Sequence, residues 1–124
     1  DSNVADRFLI GKKMKQGAVN TLKKKTLELK KKVFYKLEEF DFFIMPTVAF
    51  KPPSLSDLKN KKNYHYYNNL VLDNTRAANI FDLCAISVPL FFQKRKWLSI
   101  SIISKKNNDE KLLDVAEKIE SILR

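Results

Sequence analysis

The chain has 124 residues, 44% of them hydrophobic with nine Phe, which supports one domain with a modest core and excludes a disordered segment. Its formal net charge is +10, carried by twenty Lys and only four Arg. Nucleic-acid surfaces recruit Arg for its bidentate phosphate geometry, and the clusters Lys23 to Lys25, Lys30 to Lys32, Lys59 to Lys62 and Lys94 to Lys96 are spread over several elements, so the charge reads as a solvated surface.

Residues 3–15 read as a short helix with Val4, Phe8 and Leu9 on its apolar side. From Gly17 to Phe40 the residues Leu22, Leu29, Val33, Leu37 and Phe40 recur at helical spacing, opposite a face that is nearly all Lys. At 1.5 Å per residue this amphipathic helix is about 35 Å long, and packing against a sheet is its expected use. Phe42 to Met45 is apolar at every position and stops at Pro46, which suits a strand buried on both faces.

Residues 47–65 contain Pro52-Pro53 and a Lys/Asn-rich stretch and read as a long exposed loop. A helix is expected over 66–82, with Leu70, Asn74, Ala77, Ala78 and Phe81 on one face, followed by a buried strand from Cys84 to Val88. Trp97 to Ile103 alternates apolar and polar residues, with Ser99 and Ser101 on the polar side, as in a half-buried strand. Asn108 or Asp109 then caps a last helix whose stripe is Leu112, Leu113, Ala116, Ile119 and Leu123.

Connection lengths set the expected topology. A helix and ample chain separate the strands at 42–46 and 84–88, which can run parallel through a crossover. Residues 89–96 are too few for one, so the last strand should be antiparallel to the second. The expected fold class is α/β, a mixed and mostly parallel sheet flanked by helices.

No apolar run approaches the roughly 18 residues that span a bilayer. No signal-peptide pattern is present, and a first residue of Asp1 reads as the boundary of a processed or excised segment. The single Cys84 fits a reducing, cytoplasmic compartment.

Few residues carry chemistry by themselves. Cys84 opens an apolar strand, where a thiol is inert, and His65 lies in a loop, so a thiol–imidazole pair is the weaker reading. One His and one Cys do not close a zinc site. Asp82, near Asn79, either caps local backbone or lines a pocket, and Thr47 after Pro46 either ends a strand or offers a hydroxyl at a pocket mouth. No cofactor and no metal ligand set is expected.

Asn79-Ile80-Phe81-Asp82-Leu83-Cys84-Ala85-Ile86-Ser87-Val88-Pro89 resembles the N-x-x-D/G-L-x-A-I-S-V-P stretch near the C-terminus of amidase-signature enzymes. Four further segments are similar to that family, in its order. Asp1 to Gly11 resembles D-x-x-V-x-x-R-x-x-x-G, and Asp41 to Thr47 resembles the D-x-x-x-x-P-T strand. Asn74-Thr75 with Asn79 and Asp82 matches an N-T-x-x-x-N-x-L-D-L-C-A-I-S form, and Lys111 to Leu123 matches the final E-x-L-L-x-V-A helix.

The resemblance implies the C-terminal part of an amide hydrolase acting on carbon–nitrogen bonds other than peptide bonds. The family uses a serine nucleophile and a second serine joined by a cis peptide, both in a Gly/Ser-rich segment, with a lysine upstream. This chain holds only Gly11 and Gly17, and none of its serines is adjacent to another, so no catalytic residue is assigned to it and the chain alone is expected to be inactive. The resemblance makes Thr47, Asp73, Asn74, Asn79 and Asp82 substrate-pocket candidates. Where the family has G-L-P-x-G-x-Q after its Ile-Ser-Val-Pro strand, this chain has Lys94-Arg95-Lys96-Trp97-Leu98-Ser99-Ile100. Expected partners are a small amide in the intact parent and either the remainder of that parent or a second copy. A non-catalytic interaction module is the alternative.

Overall fold

In the computed structural model, residues 2–90 and 98–123 are described. The elements in chain order are α1 (Ser2–Lys12), α2 (Gln16–Glu38), β1 (Phe43–Pro46), α3 (Lys61–Phe81), β2 (Cys84–Pro89), β3 (Ser99–Ser104) and α4 (Asp109–Leu123), with one 3-10 turn at Asp57–Lys59. Trp97 and the Lys94 to Lys96 cluster lie outside the described residues.

The three strands form one sheet in the order β1-β3-β2. Both outer strands are antiparallel to β3, in the registers Phe43↔Ile103 through Pro46↔Ile100 and Cys84↔Ser104 through Pro89↔Ser99. β1 and β2 therefore point the same way, as the long connection between them suggested. The expectation of a mostly parallel sheet is corrected: every ladder in the described residues is antiparallel, because β3 inserts between the two co-directed strands.

Strand alternation divides the sheet into two faces. Cys84, Ile86 and Val88 share one with Ile100 and Ile102, and there they pack with Leu112, Val115, Ala116 and Ile119 of α4. Ile102 is fully buried at the centre. Thr47, Ser87, Ser101 and Ile103 belong to the other face. Ile103 is buried there, while Leu37 of α2 and Ala78 of α3 are buried outside the α4 cluster.

Three expectations change at residue level. Phe43 and Ile44 are exposed, although an all-apolar run predicts burial on both faces. β1 is an outer strand, and α4 packs on β2 and β3. Along the α2 stripe only Leu37 is fully buried, whereas Leu22, Leu29 and Phe40 are exposed. On α4, Leu113 points to solvent, and Leu112 and Ala116 supply the buried stripe.

The helix expected over 66–82 begins earlier, at Lys61. Asn60 is extended and its Oδ1 accepts the Lys62 N–H at 2.9 Å, satisfying one free donor of the first turn. Nothing from Lys61 to His65 is Gly or Pro, so the polar stretch that resembles a loop is a solvated helical turn. The segment before it is ordered locally by Ser54, whose Oγ–H donates to Asp57 Oδ2 at 2.6 Å and whose Oγ accepts the Asp57 N–H at 3.2 Å.

Candidate functional site

The carboxyl ends of β1 and β2 lie at the same end of the sheet, and polar side chains converge there. Pro46 closes β1, but the next residue prolongs the pairing: the Thr47 N–H donates to the Ser99 carbonyl at 3.1 Å. That bond keeps Thr47 in strand alternation, on the face that carries Ser101 and Ser87, which are direct cross-strand partners. Thr47 Oγ1 accepts from Ser101 Oγ at 3.0 Å and lies 3.0 Å from Ser87 Oγ. Asn74, on α3, donates from Nδ2 to the Pro46 carbonyl at 2.8 Å. That carbonyl belongs to the peptide bond that leads into Thr47.

Two of the sequence-derived candidates, Thr47 and Asn74, are thus brought to one place. Asp73 is one position away on α3, where the helical turn directs it elsewhere, and it pairs with Arg76 at 2.9 Å on the surface. Asn79 is exposed. Asp82 lies eight residues beyond Asn74, about 12 Å along the helix axis, beside the start of β2 and so at the opposite end of the sheet.

Asp82 forms a different kind of structure. It ends α3 in the left-handed conformation, φ 59° and ψ 49°, with the Leu83 N–H donating to Ala78 O at 2.9 Å. Its carboxylate accepts from Lys30 at 3.2 Å and Lys106 at 2.7 Å. One side chain thereby links α2, the α3–β2 junction and the segment after β3. The two ammonium groups, Lys106 foremost, hold its carboxyl below the usual carboxylate range. The cap reading of Asp82 holds for its backbone, and its side chain serves the lysines.

The Cys84–His65 pairing is not formed. Cys84 Sγ donates to the Lys105 carbonyl at 2.9 Å, and His65 sits edge-on to Tyr64 beside a groove lined by Asp6, Leu9 and Ile10. Among the described residues no group of His, Cys, Asp and Glu could hold a metal ion. A surface cavity of about 390 Å³ opens where β1 begins and β3 ends, lined by Glu38, Phe40, Asp41, Lys105, Lys106 and Lys111. Lys111 and Asp41 pair across it at 2.6 Å, which lowers the Asp41 pKa. It lies at the opposite end of the sheet from the hydroxyl cluster.

Sequence reasoning overlooked Ser87 and Ser101. The alternation of β3 did set Ser101 on its polar side. What was missing was register: nothing local states that Ser87 opposes Ser101 or that β3 lies between the other two strands.

The arrangement offers neutral hydroxyl and amide groups for hydrogen bonding. Comparisons with known proteins agree with the sequence motifs. The family model described as Amidase matches residues 4–113, and so takes in every residue of this cluster. The chain is 24% identical over 87 residues to a 2-amino-5-chloromuconic acid deaminase of Comamonas testosteroni, covering 69% of this chain and 19% of that protein. It is 30% identical over 97 residues to the translocon at the outer membrane of chloroplasts 64 of Pisum sativum, covering 78% and 16%. A glutamyl-tRNA(Gln) amidotransferase subunit of Sulfolobus acidocaldarius is 28% identical over 86 residues, covering 69% and 17%. The matched part is thus less than a fifth of each relative's length. No solved structure matches. No helix among the described residues is long and apolar enough to cross a membrane. With the matched model spanning nearly all of α1 through the first turn of α4, the chain belongs to the amidase family.

Proposed function

We propose that residues 1–124 are the C-terminal part of an amide hydrolase acting on non-peptide carbon–nitrogen bonds, supplying sheet core and one wall of the substrate pocket. The observation that carries this reading is the convergence of Thr47, Ser87, Ser101 and Asn74 at the carboxyl ends of β1 and β2, where open α/β sheets hold their ligands. Thr47, Asn74 and Ser87 each lie in a segment that resembles a family motif. The nucleophilic serine, its partner serine and the lysine belong to the remainder of the parent protein. In this reading Thr47 and Asn74 belong to the wall, Asp73, Asn79 and Asp82 lie away from it, and the single Cys84 fits a cytoplasmic protein.

A second reading, a non-catalytic interaction module, draws on two observations. The Pisum sativum relative is named for a translocon and not for a hydrolase. Phe8, Leu22 and Leu29 also present large apolar side chains to solvent.

Reading the frame upstream of Asp1 and assaying the encoded protein on simple aryl amides decides between the two. Hydrolysis by the whole protein and none by residues 1–124 is the expected result. A folded whole protein without turnover favours the interaction module. Turnover by residues 1–124 alone overturns the assignment of the nucleophile to another segment.

A further inference from the structure

The proton arrangement in the hydroxyl cluster is constrained. Ser101 Oγ donates to Thr47 Oγ1, while between Thr47 and Ser87 either oxygen could donate. Each hydroxyl has one proton and two acceptor lone pairs. Either choice leaves one proton outside the cluster, that of Thr47 if Ser87 donates and that of Ser87 if Thr47 donates. The head-to-tail chain Ser101 to Thr47 to Ser87 is the favoured one, because a hydroxyl that already accepts is the better donor. Ser87 is exposed, and each donation polarises the next O–H, so the terminal hydroxyl is the strongest donor of the three.

We propose that Ser87 is a substrate-contacting donor for the carbonyl oxygen of the amide, with Thr47 and Ser101 as positioning residues that act through it. This rests on the hydrolase reading. The ligand class follows from the surroundings. Among the described residues the cluster holds no cation to favour a carboxylate or a phosphate, and Met45 and Ala85 share its sheet face, which suits a neutral carbonyl on an apolar body. Asn74 contributes indirectly, because its bond to the Pro46 carbonyl sets the peptide bond on which Thr47 is mounted.

Benzamide is a suitable probe, with binding and hydrolysis measured on the whole protein encoded by this reading frame. Ser87→Ala should weaken benzamide binding about five- to tenfold, the loss of one neutral hydrogen bond, and should also lower kcat, because the contacted oxygen gains charge in the transition state, with melting nearly unchanged. Ser87→Thr, which keeps the hydroxyl, should restore most of the binding. Thr47→Val should weaken binding in the native background and add nothing to Ser87→Ala. If Ser87→Ala fails to fold, Ser87→Cys, with similar volume and a weak donor, carries the same expectation. A folded Ser87→Ala or Ser87→Cys protein with native benzamide affinity overturns the contact. Equal losses from Thr47→Val in both backgrounds overturn the relay. Binding without turnover in the native protein counts against the hydrolase and leaves the contact standing. Turnover with an unchanged KM in Ser87→Ala does the reverse, and neither binding nor turnover sinks both.

Discussion

Asn74 holds the carbonyl of Pro46 from a distance of 28 positions in sequence, through a 2.8 Å hydrogen bond from Nδ2. The bond joins the middle of α3 to the end of β1, and it is immediately followed by the Thr47 N–H that pairs with Ser99. Asn74→Leu keeps the approximate volume and removes the donor. Destabilisation of about 1 kcal/mol is expected. Amide exchange at Thr47 should also accelerate, because the strand end it belongs to loses its tether. Unchanged exchange at Thr47 would mean that the β ladder alone secures this end.

Asp82 joins a left-handed backbone to two lysine contacts. Glycine occupies that backbone region without strain, and alanine does not. Asp82→Gly should therefore be less destabilising than Asp82→Ala by about 1 kcal/mol in urea titrations. Equal losses would show that backbone conformation is not what the position requires. If the whole protein turns over amides, turnover by Asp82→Ala that falls only with the folded fraction would assign the residue to structure, and a larger fall would support a pocket role.

Acid should weaken the fold in a defined direction. Asp6, Asp41 and Asp82 all have lowered pKa values, set chiefly by hydrogen bonds from Lys61, Lys111 and Lys106 respectively. A carboxylate whose folded pKa lies below its unfolded value stabilises fully above the unfolded value, near ~4. The contribution disappears as pH falls through the lower, folded value. Urea midpoints should be level from pH 7 to about 5 and decline below about 4, with a shallower decline in high salt because these pairs are exposed. Midpoints that hold steady to pH 2 would remove these pairs from the stability of the fold.

Ile102 and Leu113 make a contrasting pair of probes. Ile102 is fully buried between the sheet and α4, and Leu113 is exposed on that helix although its neighbour Leu112 is buried. Ile102→Ala should cost about 2–5 kcal/mol, and Leu113→Ala within about 0.5 kcal/mol of zero. Similar losses at both positions would return Leu113 to the buried stripe that its helical spacing suggests.

Self-association of residues 1–124 is expected from the exposed side chains of Phe8, Leu22, Leu27 and Leu29. Sedimentation should show a concentration-dependent rise in mass, reduced in a Leu22→Lys, Leu29→Lys double variant. A monomer at every concentration would contradict it.

Element positions were largely legible in the sequence, because periodicity is a local property. Leu112 and Ala116 at helical spacing, and the alternation of Ser99 to Ile103, needed no knowledge of the rest. Two things were not local. Strand order depends on a long-range choice, and β3 between β1 and β2 made every described ladder antiparallel. Burial depends on what covers a face: Leu22 and Leu37 lie on one predicted stripe, yet only Leu37 is covered. The candidate site shows the same division. Thr47 and Asn74 stood out through their motifs, while Ser87 and Ser101 acquired meaning only through register.

The place of β3 at the sheet's centre also governs the order of assembly. β1 leaves the ribosome first and β2 second, and neither pairs with the other. Their common partner is synthesised last, so Phe43 must wait for Ile103 and Cys84 for Ser104. Until then both strands carry unpaired backbone groups and apolar side chains, a state open to chaperone capture or mispairing. A nascent chain stalled before residue 98 would lack both of these ladders, whereas synthesis of the β3 segment would let them close together.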